Sequence, residues 1–517
     1  MLHRKYFQDN NIWDLLAKLI LLGLAVLQIS RWPTLPHFLD IYYHLQVAWG
    51  FIQSGGYVHW DFWEYAPLGR PHIYPPLFHI ILALLMKLGA SVVFLAKFFE
   101  SVTPVIFLVV LWRFIRKNYS RQLGFFTVVA LGSSFAFSIS QANHVPSTIA
   151  LILGFLSYGE FFKSRYLRAV ILLALCFYTH ITVSWFFALS YIFYALLDKD
   201  SRGNSLRTFL GAVLIASPIL ILQLLNLHSL HLVSDNIFEK FHLQIKVFDC
   251  ILACFGLFLA ARQPGRHKLF VSLFLSSFIF LPYPARFLSA EGYIPVILFL
   301  ALALQFIWQK LAEGGARLMK ILTGGLIIFF LFISPTLYLG KPSASDKVSY
   351  RVDPVDATLS SLLLAKGNSI WYPWMYLPAA EIIKNNSASG DIVYSNLDIA
   401  GLILSSLSQR ATVNGLLPES KSFRQADPFL LASIIVLPKD LDEEFINGIS
   451  HKYKLIKIDQ TRYFYIFRNP APVARLEIVN TVFGFWLIIG SLFLLAVLFW
   501  RQELMSLSGK PAKSGGR

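Results

Sequence analysis

Long apolar runs separated by short polar segments are the main pattern of this chain. Runs of about 17 to 25 residues are long enough to cross a bilayer as helices. They lie at 13–31, 92–112, 122–140, 147–162, 208–227, 247–262, 293–309, 320–340 and 478–500, with a shorter one at 268–284. The run 169–197 is too long for one crossing and predicts a tight hairpin with His180 near its apex. The pattern therefore predicts a polytopic α-helical membrane protein.

Clusters of Lys and Arg between the apolar runs predict which polar segments face the cytoplasm, because cytoplasmic loops carry an excess of these residues. The clusters lie at 113–121, 163–168, 199–207, 262–268 and 310–320 and in the tail from Arg501. Two crossings can separate each adjacent pair, and Arg4 and Lys5 place the N-terminus on the same side. The sequence thus predicts about twelve transmembrane helices with both termini cytoplasmic.

The segment 73–90, HIYPPLFHIILALLMKLG, is an apolar stretch that this topology does not allow to cross. One more crossing would place the basic cluster at Arg113 outside the cell. Pro75 and Pro76 suit the first turn of a helix and not its middle. We therefore expect a helix that begins at these prolines and lies along, or dips into, the outer surface. No cleavable signal is predicted, because the first apolar run lacks a small-residue cleavage site.

Composition supports a membrane protein and excludes a soluble enzyme. Hydrophobic residues make up 56% of the chain and charged residues only 14%, with a mean hydropathy of +0.59. The net charge of +16 comes from short clusters between apolar runs, so it indicates topology rather than a nucleic-acid partner. Cys176, Cys250 and Cys254 lie inside apolar stretches, which favours structural thiols over a metal or disulfide role.

The polar stretch 341–476 is the only part of the chain able to form an aqueous domain. Strands are predicted at 390–396, 410–415, 432–437, 454–459 and 462–468, with helices at 398–408 and 441–453. This alternation predicts a small C-terminal external α/β domain. A transmembrane domain at 1–340 precedes it, and a final transmembrane helix with a cytoplasmic tail occupies 477–517.

Most residues suited to chemistry fall on the predicted outer face. The first external loop, 32–91, contains the segment 40–79, which holds three carboxylates, four histidines and eleven aromatic residues. Acids and histidines so close to hydrocarbon are costly unless they have a function. The segments 140–147 and 285–292 and the His180 apex share this face. An enzyme that works on the outer face is separated from cytoplasmic nucleotides. A sugar donor carried by a lipid is therefore favoured.

Three pieces of the first loop resemble the C-type (GT-C) glycosyltransferases, and the catalytic subunit of oligosaccharyltransferase most of all. Asp40, Tyr42, Tyr43 and His44 are similar to an acidic D-x-Y-Y-H motif, WDFWEYAPLGRP at 60–71 resembles a W-D-P-x-x-x-Y-P-x-G segment, and a helix started by two prolines follows. The resemblance implies a GT-C-like membrane fold. It also implies transfer of a sugar from a polyprenyl-phosphate-linked donor on the external or periplasmic side.

Such a transfer needs a carboxylate near the acceptor and a cation on the leaving phosphate, both facing one cavity. Asp40, with His44, is the candidate base or acceptor-orienting acid, and we expect partial burial to raise the pKa of Asp40. Arg286 resembles an arginine that lies near the lipid phosphate in the family. The other candidates for the donor phosphate or sugar are His180, Arg70, Asn143 and His144. Those for the acceptor side are Asp61, Glu64 and Asp398.

Each candidate also has a structural interpretation. Asp40 and Asp398 could cap the helices that follow them, and Arg286 could reach lipid headgroups. His180 could be an ordinary interface histidine. Asn143 with His144 could form a plain turn, and Asp61 with Glu64 a solvated loop face.

Two departures from the family pattern limit what the resemblance implies. The position of the W-W-D-Y-G motif reads Asn396-Leu397-Asp398-Ile399-Ala400, where only the acid remains. A lipid or polysaccharide acceptor is therefore favoured, with oligosaccharyltransferase-type protein glycosylation as the alternative. A transporter or flippase for lipid-linked sugars, or a non-enzymatic scaffold, are further classes. Ordinary membrane lipids are the remaining expected partners.

The second departure concerns a metal. The second external loop offers Gln141, Asn143 and His144 where the family has carboxylates, and Mg²⁺ or Mn²⁺ prefers carboxylate oxygens. A metal-free site is favoured. The alternative is a Mg²⁺ or Mn²⁺ site at Asp40 that recruits Glu64 or Glu239.

Overall fold

A computed structural model describes residues 10–36, 39–134, 143–227, 247–282, 290–313, 373–415, 427–474 and 476–480, with short pieces at 137, 243–245, 286–287, 325, 337–339, 490 and 493. The predicted runs 320–340 and 478–500 lie largely outside these residues, as do 341–372, Gln141 and Glu239. The prediction of about twelve transmembrane helices stays a prediction.

Helices account for most of the described chain. Their bounds are α1 Asn10–Ser30, α2 Asp40–Gln53, α3 Leu77–Lys87, α4 Val92–Asn118, α5 Arg121–Gly132, α6 Val145–Phe161, α7 Tyr166–Phe177, α8 Ile181–Leu197, α9 Arg202–Leu225, α10 Val247–Arg262, α11 Pro264–Ser277, α12 Ile294–Glu313, α13 Tyr376–Asn385, α14 Asp398–Ser408, α15 Pro428–Leu431 and α16 Glu443–Lys452. Among the described residues, the helical segments Ile12–Ser30, Val92–Asn118, Arg202–Leu225 and Glu291–Leu311 are long and apolar enough to cross a membrane.

Two local predictions about these helices are confirmed. The run 169–197 is divided between α7 and α8, and His180 precedes the first residue of α8. The segment 73–90 forms only the 11-residue helix α3, which begins after Pro76. At about 1.5 Å per residue this helix is far too short to cross a bilayer. Leu84 on α3 is 56% exposed and Leu88, just after the helix, is 83% exposed. The location of this helix on the outer surface stays a prediction.

Helices pack closely where polar groups inside the bundle find partners. The rings of Tyr158 on α6 and Tyr191 on α8 stack with centroids 4.2 Å apart. The Tyr158 hydroxyl shares a hydrogen bond with Ser190, and that of Tyr191 shares one with Ser157. Such pairs hold helices together in an apolar medium, where an unpaired hydroxyl is costly.

The described strands form one five-stranded sheet and two two-stranded sheets. Their bounds are β1 Trp60–Asp61, β2 Arg70–Pro71, β3 Leu243–Ile245, β4 Leu337–Leu339, β5 Ile392–Ser395, β6 Ala411–Thr412, β7 Ile434–Pro438, β8 Ile456–Gln460 and β9 Phe464–Arg468. The two-stranded sheets pair β1 with β2 and β3 with β4. The five-stranded sheet has the order β6-β5-β7-β9-β8, in which β5 is parallel to β6 and β7, and β9 is antiparallel to β7 and β8. The predicted strands and the helices α14 and α16 are confirmed, whereas an external domain stays a prediction.

The first loop continues this sheet beyond β6. The backbone N–H of Thr412 donates to the carbonyl of Trp63 at 2.9 Å, and that of Ala66 donates to the carbonyl of Thr412 at 2.9 Å. The ring of Tyr65 lies against Gly415 so closely that a Cβ there would be 2.1 Å from the ring. Gln46 on α2 donates to the carbonyls of Trp63 and Arg410, at 2.9 and 3.3 Å. These contacts fix α2 against both the loop and the sheet.

Candidate active site

Asp40 is the first residue of α2. The cap position is Leu39, and no side chain caps this end of the helix, so the interpretation of Asp40 as a cap is wrong. A carboxylate in the first turn is favoured by the positive end of the helix dipole. The side chain is 26% exposed, so it is accessible to a substrate.

His44 lies one turn after Asp40 on the same face of α2, and its Nε2 is 3.2 Å from Asp40 Oδ2. Burial acts to raise the pKa of Asp40, but His44, through charge and its hydrogen bond, and then His144 and His180 lower that pKa to about 2. The expected rise in the pKa of Asp40 is therefore wrong. The prediction weighed burial alone, and the imidazoles come from three different parts of the chain.

His180 precedes α8 and caps it, because its Nδ1 accepts the backbone N–H of Val183 at 3.3 Å. Its Nε2 lies 3.4 Å from Nη1 of Arg286. Burial and then the nearby Arg286 guanidinium lower the pKa of His180 to about 3, although Glu291 and Asp40 oppose this. His180 is therefore neutral at physiological pH. Capping of α8 through Nδ1 leaves Nε2 of His180 on the side of Arg286.

Arg286 has one carboxylate close by, since its Nη1 is 3.5 Å from Oε1 of Glu291. Glu291 is fully buried, whereas the Arg286 side chain is 33% exposed. A guanidinium with this exposure can still bind an anion from the membrane side. Burial lowers the pKa of His144, and so does the charge of Arg286, whereas the charges of Asp40 and Glu291 act to raise it. The structure thus places His144 and His180 close enough to both Asp40 and Arg286 to be affected by their charges, whereas the side of the membrane on which they lie stays a prediction.

Asn143 lies next to this group but pairs with another element. Its Oδ1 accepts a hydrogen bond from Nη2 of Arg31 at 3.2 Å, and the same nitrogen is 2.9 Å from Oε1 of Glu100. These contacts join the end of α1 to α4. The geometry gives Asn143 a structural role and does not support contact with the donor.

Arg70, Asp61 and Glu64 form a separate buried cluster. Nη2 of Arg70 lies 2.8 Å from Asp61 and 2.9 Å from Glu64, and His72 Nδ1 is 2.5 Å from Asp61. Arg70 is 1% exposed and both acids are fully buried, so the interpretation of Asp61 and Glu64 as a solvated face is wrong. The cluster holds the first loop together, and its geometry does not support contact with a substrate.

Asp398 is the first residue of α14, after the cap position Leu397, so its predicted capping role is also wrong. Its Oδ1 accepts a hydrogen bond from Nδ2 of Asn414 at 2.6 Å. Asn414 also donates to the carbonyl of Ser395 at 2.9 Å. Asp398 therefore joins the beginning of α14 to the ends of β5 and β6.

Among the residues that the structure describes there is no cluster suited to a metal ion, and Glu239, the other predicted partner of Asp40, lies outside them. No three His, Cys, Asp or Glu side chains among them are grouped so that they could hold one. Glu64, a predicted partner of Asp40, is paired with Arg70 instead. The groups that act on Asp40 are imidazoles, which hard cations do not prefer. No step of the mechanism below is assigned to a metal.

Sequence reasoning missed Glu291 and His79. Glu291 lies just before the apolar run of α12, where a buried acid is costly unless it is paired, and this position could have identified it. His79 lies on α3, where its Nε2 is 2.8 Å from Nδ1 of His44. Its position inside an apolar helix gave no indication of a partner 35 residues earlier in the chain.

Comparison with solved structures shows that the chain has the fold of C-type membrane glycosyltransferases. It is similar to the oligosaccharyltransferase AglB of Archaeoglobus fulgidus, solved with an inhibitory peptide and a dolichol-phosphate, with a TM-score of 0.53, 10% identity, and coverage of 89% of this chain and 75% of that one. ArnT from Cupriavidus metallidurans, bound to undecaprenyl phosphate, gives a TM-score of 0.51 and 13% identity, over 89% of this chain and 99% of that one.

The Archaeoglobus fulgidus oligosaccharyltransferase has also been solved with Zn and sulfate, and that structure gives a TM-score of 0.51 at 11% identity over 88% of this chain and 74% of that one. No family profile and no curated protein sequence matches the chain. At these identities the likeness concerns the fold.

Proposed function

We propose that this protein is an integral-membrane glycosyltransferase that moves a sugar from a polyprenyl-phosphate-linked donor to an acceptor on the external face. The observation that carries the proposal is the meeting of Asp40, His144, His180 and Arg286 at one partly exposed site. An anion for the acceptor and a cation for the phosphate are the two groups that the reaction needs. The fold supports a lipid-linked donor, because the AglB and ArnT structures contain dolichol-phosphate and undecaprenyl phosphate.

Asp40 orients the acceptor in this mechanism. The carboxylate has a pKa below its ordinary value, so it is ionised at physiological pH. It accepts a hydrogen bond from the acceptor hydroxyl and thereby increases the negative character of the attacking oxygen. The hydrogen bond from His44 to Oδ2 stabilises the ionised carboxylate, which favours this role over full proton abstraction before the attack.

Arg286 stabilises the leaving phosphate. The bond between the anomeric carbon and the phosphate oxygen breaks as the acceptor oxygen bonds to that carbon, and negative charge grows on the polyprenyl phosphate. A planar guanidinium can bind this charge in bidentate fashion. The acceptor proton leaves through Asp40 and ends on the released phosphate or on water, since the second pKa of a phosphate monoester is about 6. Neutral His180 and His144 add no competing cation.

A transfer assay tests the role of Asp40. Membranes containing the chain are given radiolabelled undecaprenyl-phosphate hexoses and pentoses, and label is counted in lipid, polysaccharide and protein fractions. Asp40→Asn should lower transfer by at least about 100-fold while the protein remains folded. Asp440→Asn, at an exposed turn, is the matched control and should retain activity. Full activity of Asp40→Asn would refute the proposal.

A binding assay tests Arg286 independently of the acceptor. Purified protein in nanodiscs is titrated with undecaprenyl phosphate. Loss of a charged hydrogen-bond donor in Arg286→Gln should weaken binding by about 10- to 100-fold, with Arg286→Lys intermediate. Arg168→Gln, in a basic cluster predicted to face the cytoplasm, should bind as the unaltered protein does. Equal affinity of Arg286→Gln and the unaltered protein would remove Arg286 from the mechanism.

The proposed acceptor is a lipid or a polysaccharide. Asp398 stands alone at the motif position of oligosaccharyltransferases, and Asn414 occupies its Oδ1 at 2.6 Å. This pairing leaves little capacity to recognise a peptide hydroxyl. Label that appears in the protein fraction of the transfer assay would favour protein glycosylation instead.

A further inference from the structure

His44 is held from both sides of its ring. Its Nε2 faces Oδ2 of Asp40 at 3.2 Å, and its Nδ1 faces Nε2 of His79 at 2.8 Å. An ionised carboxylate can only accept hydrogen bonds, so the proton on the Asp40 side belongs to Nε2 of His44. The 2.8 Å distance between the two rings requires one proton between them, because two N–H groups would repel each other and two lone pairs would not bond.

The other nitrogen of His79 decides which ring carries that proton. Nδ1 of His79 is buried and has no hydrogen-bond partner among the described residues. If the shared proton belonged to His44, that ring would be a cation, and neutral His79 would carry its proton on Nδ1 with no acceptor. A buried N–H without an acceptor costs about 1–3 kcal/mol. If the proton belongs to Nε2 of His79, both rings are neutral and only a lone pair is unpaired.

The surroundings of His79 hold its ring in this position. The side chain is fully buried. The ring of Phe51 is nearly perpendicular to it at 84°, with the centroids 5.8 Å apart, and the ring of Tyr74 is inclined at 60°, with the centroids 5.4 Å apart. Burial, with His44 and then His72 nearby, keeps the pKa of His79 well below its ordinary value, so it stays neutral. A fully buried ring does not touch a substrate.

We propose that His79 is a positioning residue, which donates Nε2–H to His44 and fixes His44 as the tautomer whose proton points at Asp40. This inference rests on the proposed function, because it assigns the group that orients the acceptor-binding carboxylate. Oδ2 of Asp40 is held by His44, and no described side chain hydrogen-bonds Oδ1. Oδ1 is the oxygen left to receive the acceptor hydroxyl. The surface helix α3 thus supplies a part of the site and not only a contact with lipid.

Kinetics of three variants separate positioning from packing. His79→Leu removes the donor and should lower kcat by about 10- to 100-fold, the usual effect of losing an orienting partner. KM for the undecaprenyl-phosphate sugar should change less than about twofold, because the interaction acts in the transition state. His79→Gln retains a side-chain N–H and should recover most of kcat. Leu82→Ala, at another fully buried position on α3, is the packing control and should retain kcat.

The tautomer itself can be measured without any activity. In protein labelled with ¹⁵N at the imidazole ring, His44, assigned with His44→Gln, should show a protonated Nε2 and an unprotonated Nδ1. His79→Leu should give a mixture of tautomers. If that variant does not fold, the spectrum of the unaltered protein still decides. Protonation of His44 at Nδ1, or an unchanged kcat in folded His79→Leu, would overturn the inference. Activity of Asp40→Asn would refute the proposed function while the spectrum continued to report on His79.

Discussion

At the scale of single residues, buried imidazoles determine the charge of the candidate site. His44, His144 and His180 all act on the carboxylate of Asp40 and, against the effect of burial, keep its pKa at about 2. His180 is held neutral by burial and by Arg286. The site therefore contains the carboxylate of Asp40 as a constant anion, and the guanidinium of Arg286, beside the carboxylate of Glu291, as a constant cation across the physiological range of pH.

His180 also makes stability depend on pH. Its pKa is near 6.5 when unfolded and about 3 when folded. As the pH falls, the unfolded chain therefore binds this proton before the folded protein does. The stability of the fold, as far as His180 determines it, is highest above pH about 6.5 and decreases as the pH approaches about 3. We therefore expect the midpoint temperature of thermal unfolding in detergent to decrease as the pH is lowered from 7 to 4.5.

His180→Asn should make that decline less steep, because Asn can still cap α8 but does not titrate. His451→Asn, on the exposed end of α16, serves as the control and should leave the slope unchanged. An identical pH slope in His180→Asn and the unaltered protein would show that His180 does not titrate on unfolding.

The sequence predicted part of this site because sidedness is a local property. Basic clusters predicted a common face for Asp40, His144, His180 and Arg286. In the structure His144 and His180 are close enough to Asp40 and Arg286 to be affected by their charges, and the face itself stays a prediction. The charge pairs could not be predicted. Whether Arg70 meets a lipid phosphate or Asp61 and Glu64 depends on how the first loop folds, and residue types alone do not determine that.

At the scale of elements, the junction between the first loop and the sheet is the feature that sequence reasoning did not find. The predicted helix 398–408 coincides with α14, because periodicity and strand breaks are visible in a short window. The pairing of residues 63–66 with β6 joins distant parts of the chain, and periodicity does not indicate which strand is a partner.

Gly415 tests this junction, because a Cβ there would overlap the ring of Tyr65. Gly415→Ala should lower the free energy of unfolding by about 1–3 kcal/mol, the usual effect of overpacking. Adding Tyr65→Ala to Gly415→Ala should recover most of the loss that is due to the overlap. Denaturant titration of the two single variants and the double variant gives the coupling.

Gly390→Ala is the control for this pair, since nothing lies within 4 Å of a Cβ at that position. It should leave the stability unchanged. Additive effects of Gly415→Ala and Tyr65→Ala would mean that the two residues do not meet as described.

At the scale of the whole molecule, the proposed reaction requires the sheet and the candidate site to face the outside. Labelling with a membrane-impermeant maleimide tests this orientation in a background whose three cysteines are replaced. Asp440→Cys, next to the sheet, should be labelled in intact cells. Arg168→Cys should be labelled only after permeabilisation, because basic clusters stay in the cytoplasm. The opposite pattern would place the site on the cytoplasmic side.

The hydrogen bond from Gln46 to Arg410 joins residues 364 positions apart, and this separation affects how the protein is made. At about 5–20 residues per second, the ribosome needs roughly 20 to 70 s to synthesise the chain between them. For most of that interval the helix that carries Asp40 has already been made but lacks its partners in the sheet. A newly made chain therefore gains its complete site only near the end of synthesis.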